Sequence, residues 1–216
     1  MGSGIDENRV GALEECRKYT QMAEIDVQLS MDLDVFVRHD LNVGDVLVED
    51  MQTEHLQNAL GLPLLSEVLA GTGIDLNVEV KYEAQKISRE VWCECVVSTV
   101  EKGRRGRYVV YSSFDRGVCE ILKRRGLETL FLVEELVEES VVYAEKMQYM
   151  GIVTDASSIW MQTDLIENMQ EKNMCLLTYG KDNTDPGKAK KQISMGVHGI
   201  ITDAVPEIAR CLEQMP

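Results

Sequence analysis

Proline occurs four times and phenylalanine three times in 216 residues. With so little proline there is no proline-rich tether at which to cut the chain, and no low-complexity stretch supplies one. Residues 1–216 therefore read as one domain of ordinary size. Positive charge is also scarce, 22 Lys and Arg against 37 Asp and Glu, a net charge of −15. That argues against a nucleic-acid partner, which needs a basic face, and against an anionic membrane surface. A phosphate ligand stays open if a bound cation or a few local bases invert the field. No run nears the roughly 20 apolar residues that span a bilayer. Residues 1–8 are polar and acidic, with no secretory apolar core. The chain is expected in the cytoplasm, and Cys16, Cys93, Cys95, Cys119, Cys175 and Cys211 are expected to be reduced core thiols. Cys93-Glu94-Cys95 is too tight for zinc spacing and has no second pair. What is present is a 44 % apolar fraction, enough for a globular core.

Short β-branched runs alternate with longer helical ones. The strands are expected at 24–29, 35–37, 76–81, 108–112, 129–133, 151–154, 174–178 and 199–202, several nearly all apolar, as strands buried on both faces should be. Helices are expected at 8–19, 64–69, 83–100, 116–125, 135–148, 160–170, 186–195 and 206–214. Pro186 and Pro206 suit a first helical turn, and Asp185 suits an N-cap. This alternation predicts an α/β fold, a TIM (β/α)8-like barrel. Strand 35–37 follows its predecessor after a short polar turn and reads as a hairpin return. That leaves seven staves and eight helices, with a helix first, so the barrel's opening strand is missing. Two unpaired strand edges would result, an association hazard that partial closure, capping by residues 1–6 or pairing with another subunit would relieve.

In Glu24-Ile25-Asp26-Val27-Gln28, strand alternation points Glu24 and Asp26 the same way. Adjacent carboxylates repel unless a cation or shared proton offsets them. The theme returns at Leu76-Asn77-Val78-Glu79-Val80-Lys81, where Asn77, Glu79 and Lys81 share a face. Polar inward groups on two strands are costly unless they build a site. Three carboxylates without clustered Cys or His suit a hard divalent cation, Mg2+ or Ca2+. His39, after the hairpin, is a natural proton shuttle. His55 lies in a polar stretch, and His198 precedes the last strand, at the end of a barrel that serves stability. Residues 102–107 form a basic loop, expected to be a solvated turn, with docking of an anionic partner as the alternative. Glu134, Glu135, Glu138 and Glu139 should line a solvated helix face. Trp160 is a helix-start anchor or a stacking surface for an ammonium head group.

With these motifs the sequence resembles the glycerophosphodiester phosphodiesterase family. The resemblance is carried by Glu24-Ile25-Asp26-Val27-Gln28-Leu29 followed by His39-Asp40, by Leu76-Asn77-Val78-Glu79-Val80-Lys81, and by Ser112-Ser113-Phe114. Leu177-Thr178-Tyr179-Gly180, Asn183, Asp185-Pro186 and Gly196-Val197-His198-Gly199-Ile200-Ile201-Thr202-Asp203 look like its eukaryotic glycerophosphocholine-type branch. The resemblance implies a (β/α)8 barrel that hydrolyses a glycerophosphodiester, a small molecule, to glycerol 3-phosphate and an alcohol with a divalent metal. It implies Glu24, Asp26 and Glu79 as metal ligands, His39 as general acid/base, and Lys81 as a basic, catalytic residue that contacts the phosphate side of the site.

The family's opening His-Arg-Gly strand has no counterpart: residues 1–6 alone precede Glu7-Asn8-Arg9, which stands where the family has Glu-Asn-Thr. This is the same absence as the missing stave. Truncation of the chain, a degenerate gapped barrel and substitution by His55 are the competing explanations. The expectation is a weakly active phosphodiesterase. The alternative is a non-catalytic barrel that binds a metal or phosphodiester and acts as a regulatory or interaction protein. A phosphate-handling isomerase would need a Gly-rich loop late in the chain, and Gly196 and Gly199 are too sparse for one.

Overall fold

The computed structural model describes residues 9–83 and 86–215. They form two compact units, Met1–Leu122 and Lys123–Pro216. A strand ahead of the first helix would fall on residues 1–8, outside the described residues.

The first unit opens on α1 (Val10–Cys16) and enters β1 (Met22–Leu29). β2 (Val35–Val37) returns antiparallel along β1, with Val27 opposite Val37, so the expected hairpin is there. β5 (Asp75–Val80) lies parallel on the other side of β1, and β6 (Val109–Ser113) lies parallel beyond β5. Ile25, Val27, Leu76, Val78 and Val80 are buried and share one sheet face, the apolar one. β2 covers Val27–Leu29 of β1, and the Arg38 amide reaches the Asp26 carbonyl at 2.9 Å.

Between β2 and β5 lie elements that the sequence pattern did not predict. These are the two-residue strands β3 (Asn42–Val43) and β4 (Val46–Leu47), and helix α2 (Thr53–Asn58). They are held by a small cluster in which Phe36, Val48 and Leu56 are buried, with Val43, Met51 and Leu64 packed against it. α3 (Leu65–Gly71) and α4 (Arg89–Gly103) follow; Ser88 caps α4, so it starts later than expected.

The basic loop is not simply a solvated turn. Arg107 is buried, and its Nη2 donates to the carbonyls of Leu69 and Thr72, both at 2.6 Å. It thereby satisfies carbonyls at the C-terminal end of α3 that have no helical donor. Lys102, Arg104 and Arg105 stay exposed. The cysteines are free, but only Cys93 and Cys119 are buried; the other four are half-buried, which corrects the picture of six core thiols.

α5 (Arg116–Arg124) ends at the boundary of the units. In the second unit β7 (Thr129–Val133), β8 (Gly151–Asp155), β9 (Cys175–Tyr179) and β10 (Gly199–Ile200) run parallel in sequence order. They alternate with α6 (Glu138–Lys146), α7 (Thr163–Glu171), α8 (Pro186–Ser194) and α9 (Val205–Leu212). Asp185 caps α8 by accepting from the Lys188 amide at 3.0 Å, as its place before Pro186 predicts. Thr178, Asn183 and Gln192 are fully buried and bond one another, and Asn183 also donates to the carbonyls of Thr178 and Ile201. A complete network of this kind fixes the loop after β9 at low cost, because no member is left unpaired.

Gly151 opens β8 where a Cβ would lie 1.9 Å from the Cys175 carbonyl oxygen on β9. Gly151→Ala should therefore destabilise the protein by about 3 kcal/mol, the upper end of overpacking costs. Urea unfolding of the variant against wild type checks this.

Candidate metal centre

Strand alternation and register together assemble the site. Parallel pairing sets Glu24 opposite Asn77, Asp26 opposite Glu79, and Glu79 opposite Ser112. These side chains occupy the sheet face away from the apolar one. Carboxylate oxygens of Glu24, Asp26 and Glu79 all lie within 4.8 Å of one another. Asp26 and Glu79 are buried and Glu24 half-buried, so the trio does not face bulk solvent. Lys81 Nζ sits 3.2 Å from Asp26 Oδ1 and 3.4 Å from Glu79 Oε1. The sequence expectation that these four residues meet is fulfilled.

One ammonium against three carboxylates leaves an excess of negative charge. Burial, together with the Asp26 charge, pushes the Glu79 carboxyl up to about 7, and Lys81 only partly counters this. Burial disfavours the Lys81 ammonium, but the charges of Glu79 and Asp26 outweigh it and raise its pKa. A compact set of hard oxygen donors with surplus negative charge fits a divalent cation of the Mg2+ or Ca2+ type. Glu24, Asp26 and Glu79 are the residues that would hold it.

His39 stands beside the trio on the loop after β2. Its Nδ1 lies 3.1 Å from Asp40 Oδ1, and the imidazole is 61 % exposed. Its hydrogen bond is the main cause holding the Asp40 carboxyl below the usual range. The loop is held from below by Gln28, whose Nε2 donates to the carbonyls of Arg38 (3.0 Å), His39 (3.3 Å) and Asp40 (2.7 Å). Gln28 is buried and lies two residues beyond Asp26, on the acidic face. Sequence reasoning missed it, although the same alternation that picked out Glu24 and Asp26 runs on to Gln28.

The other histidines lie elsewhere. His55 is an exposed residue of α2. His198 accepts a hydrogen bond at Nδ1 from the Leu176 amide at 3.2 Å, a structural contact at the start of β10. Trp160 belongs to the second unit, where its Nε1 donates to Asp182 Oδ2 at 2.9 Å and Lys191 Nζ lies 5.0 Å from the ring centroid. The same unit carries a cavity of about 610 Å3 at the C-terminal ends of its strands, lined by Glu134, Glu135, Asp155 and Tyr179 among others.

Comparison with known proteins identifies the family of the chain. Residues 5–207 match the model of the glycerophosphoryl diester phosphodiesterase family. A glycerophosphocholine phosphodiesterase of Eremothecium gossypii is 26% identical over 163 residues, 64% of this chain and 12% of that protein. One of Schizosaccharomyces pombe is 26% identical over 174 residues, 70% of this chain and 15% of that protein. The match thus spans a small part of these curated relatives' length. Among solved structures, a glycerophosphodiester phosphodiesterase from Parabacteroides distasonis superposes with a TM-score of 0.86 at 22% identity, over 98% of this chain and 92% of that chain. An Oleispira antarctica phosphodiesterase in complex with the product sn-glycerol-3-phosphate gives 0.86 at 17% identity, over 99% and 94%. The fold class is the α/β, TIM-barrel type expected from the alternation of strands and helices.

The Glu79 shift sets the sign of a pH effect in ion-free protein. Its folded pKa of about 7 lies above the ordinary 4.5, so the folded state holds the extra proton between those values. Glu79 then contributes stability that is full below 4.5 and lost as pH rises through 7. In chelator, the urea midpoint of wild type should fall between pH 5 and pH 8, and Glu79→Gln should flatten that fall. An equal fall in both proteins would contradict the assignment.

Proposed function

Since the chain belongs to the glycerophosphoryl diester phosphodiesterase family, we propose that it hydrolyses a glycerophosphodiester to glycerol 3-phosphate and an alcohol. The convergence of Glu24, Asp26, Glu79 and Lys81 on one buried sheet face carries this reading. Glycerophosphocholine is the substrate of choice, because the curated relatives are named for it.

When bound by the three carboxylates, Mg2+ or Ca2+ would polarise a phosphoryl oxygen and offset the repulsion between diester and acid residues. Lys81 adds a point charge on the phosphate side, where negative charge grows in the transition state. His39 is the general acid/base: with Nδ1 held at Asp40, Nε2 is left to exchange a proton with the substrate. Gln28 positions that loop through its three carbonyl contacts. Trp160 is assigned to the alcohol side; its ring already attracts one ammonium, that of Lys191.

The proposal treats residues 1–216 as one barrel domain of the family, a reading supported by a family match that runs through both compact units. It places the protein in the cytoplasm; among the described residues no helix is long and apolar enough to cross a membrane. Pairing of two copies of the chain through an open strand edge is part of the reading.

A second reading, a non-catalytic barrel that binds a metal or phosphodiester, is favoured by one observation. No His-Arg-Gly occurs in the 216 residues.

Purified protein with Mg2+ or Ca2+ should release glycerol 3-phosphate from glycerophosphocholine slowly. Asp26→Asn, Glu79→Gln and Lys81→Met should each lower the rate by about 10²-fold or more. No release from wild type with either ion favours the non-catalytic reading. Release at ordinary enzyme rates, about 1–10³ s⁻¹, removes the reason for it.

A further inference from the structure

The acidic face holds two polar side chains with no use so far. Asn77 is 3% exposed and Ser112 is 0% exposed. Asn77 Oδ1 and Nδ2 and Ser112 Oγ have no hydrogen-bond partner among the described residues. Buried amides and hydroxyls are nearly always bonded, and leaving them bare is costly. Asparagine is also a poor strand residue, so neither propensity nor packing explains it in the middle of β5.

Both lie beside the acids. Register sets Asn77 opposite Glu24 and Ser112 opposite Glu79, and Asn77 is two residues from Glu79 on the same strand. The neighbouring Ser113, which points to the other face, donates to the Val80 carbonyl at 2.7 Å. On the acidic face itself, Gln28 is satisfied by three carbonyls. The hydroxyl of Tyr111, Nε1 of Trp92 and Nη1 of Arg107 also lack a hydrogen-bond partner among the described residues, but Tyr111 alternates to the opposite face, Trp92 is on α4 and Arg107 lies in the loop after it.

We propose that Asn77 and Ser112 belong to the cation site, their oxygens accepting hydrogen bonds from water held by a divalent ion at Glu24, Asp26 and Glu79. The inference deepens the reading of the acid trio as a metal centre and rests on it. A hard cation of this class keeps several waters when protein carboxylates are few, and those waters need acceptors. Outer partners of this kind orient the site and tune its affinity.

The test reads ion binding and folding, not turnover. Chelator-stripped wild type, Asn77→Leu and Ser112→Ala are titrated with Mg2+ and with Ca2+ by calorimetry, and melted with and without each ion. Both variants should bind about 10–100-fold more weakly than wild type. Ion-free, they should melt no lower than wild type, because an unpaired buried polar group has been removed. A merely structural role predicts the reverse pattern, a lower ion-free melting temperature with unchanged affinity, and that result overturns the proposal. Ser112→Ala removes only a hydroxyl and keeps the test alive if Asn77→Leu does not fold. If wild type binds neither ion, the metal centre itself fails, and this proposal with it.

Discussion

Three carboxylates crowded onto one sheet face repel one another, and the pairing of two strands leaves them no room to part. Parallel register places Asp26 directly beside Glu79, with Glu24 one step below on the same face. Sliding β1 by one residue would turn Ile25 and Val27 toward the acids and the acids toward the apolar layer. The hydrophobic face therefore enforces the electrostatic one. The apolar side chains that hold the sheet together are what keep the like charges close.

The fold answers that strain with one internal ammonium. Lys81 bridges Asp26 and Glu79 just past the end of β5, so the ion-free protein is only partly compensated. The remainder appears as the raised Glu79 pKa, which burial and the Asp26 charge produce together. An incoming cation would meet a site whose backbone is set by sheet pairing and whose proton is loosely held near neutrality. The cost of assembling the acids is met when the sheet forms, before any ion arrives.

Much of this was legible in the sequence because it depends on short-range periodicity. Alternation alone put Glu24 with Asp26 and Asn77 with Glu79 and Lys81, and β-branched runs marked the parallel strands to within a residue or two, apart from the shorter β10. What escaped depends on neighbours that periodicity does not name. Helix α2 exists because Leu56 packs against Phe36 and Val48, not because its six residues form a pattern. Arg107 looked like one more surface base until α3 ended beside it. α7 starts at Thr163 rather than at Trp160 because a 3-10 turn, Ala156–Ile159, follows β8. The roles of Gln28, Asn77 and Ser112 follow from what lies across the strand, which a linear reading leaves open.

The grip of Gln28 on its loop carries one more consequence. Its amide donates to three successive carbonyls, all main-chain atoms of residues 38–40. The shape of that segment is thus decoupled from its chemical identity. The imidazole rides on a scaffold indifferent to it, so evolution or an engineer could exchange the reactive group while the mounting stayed in place.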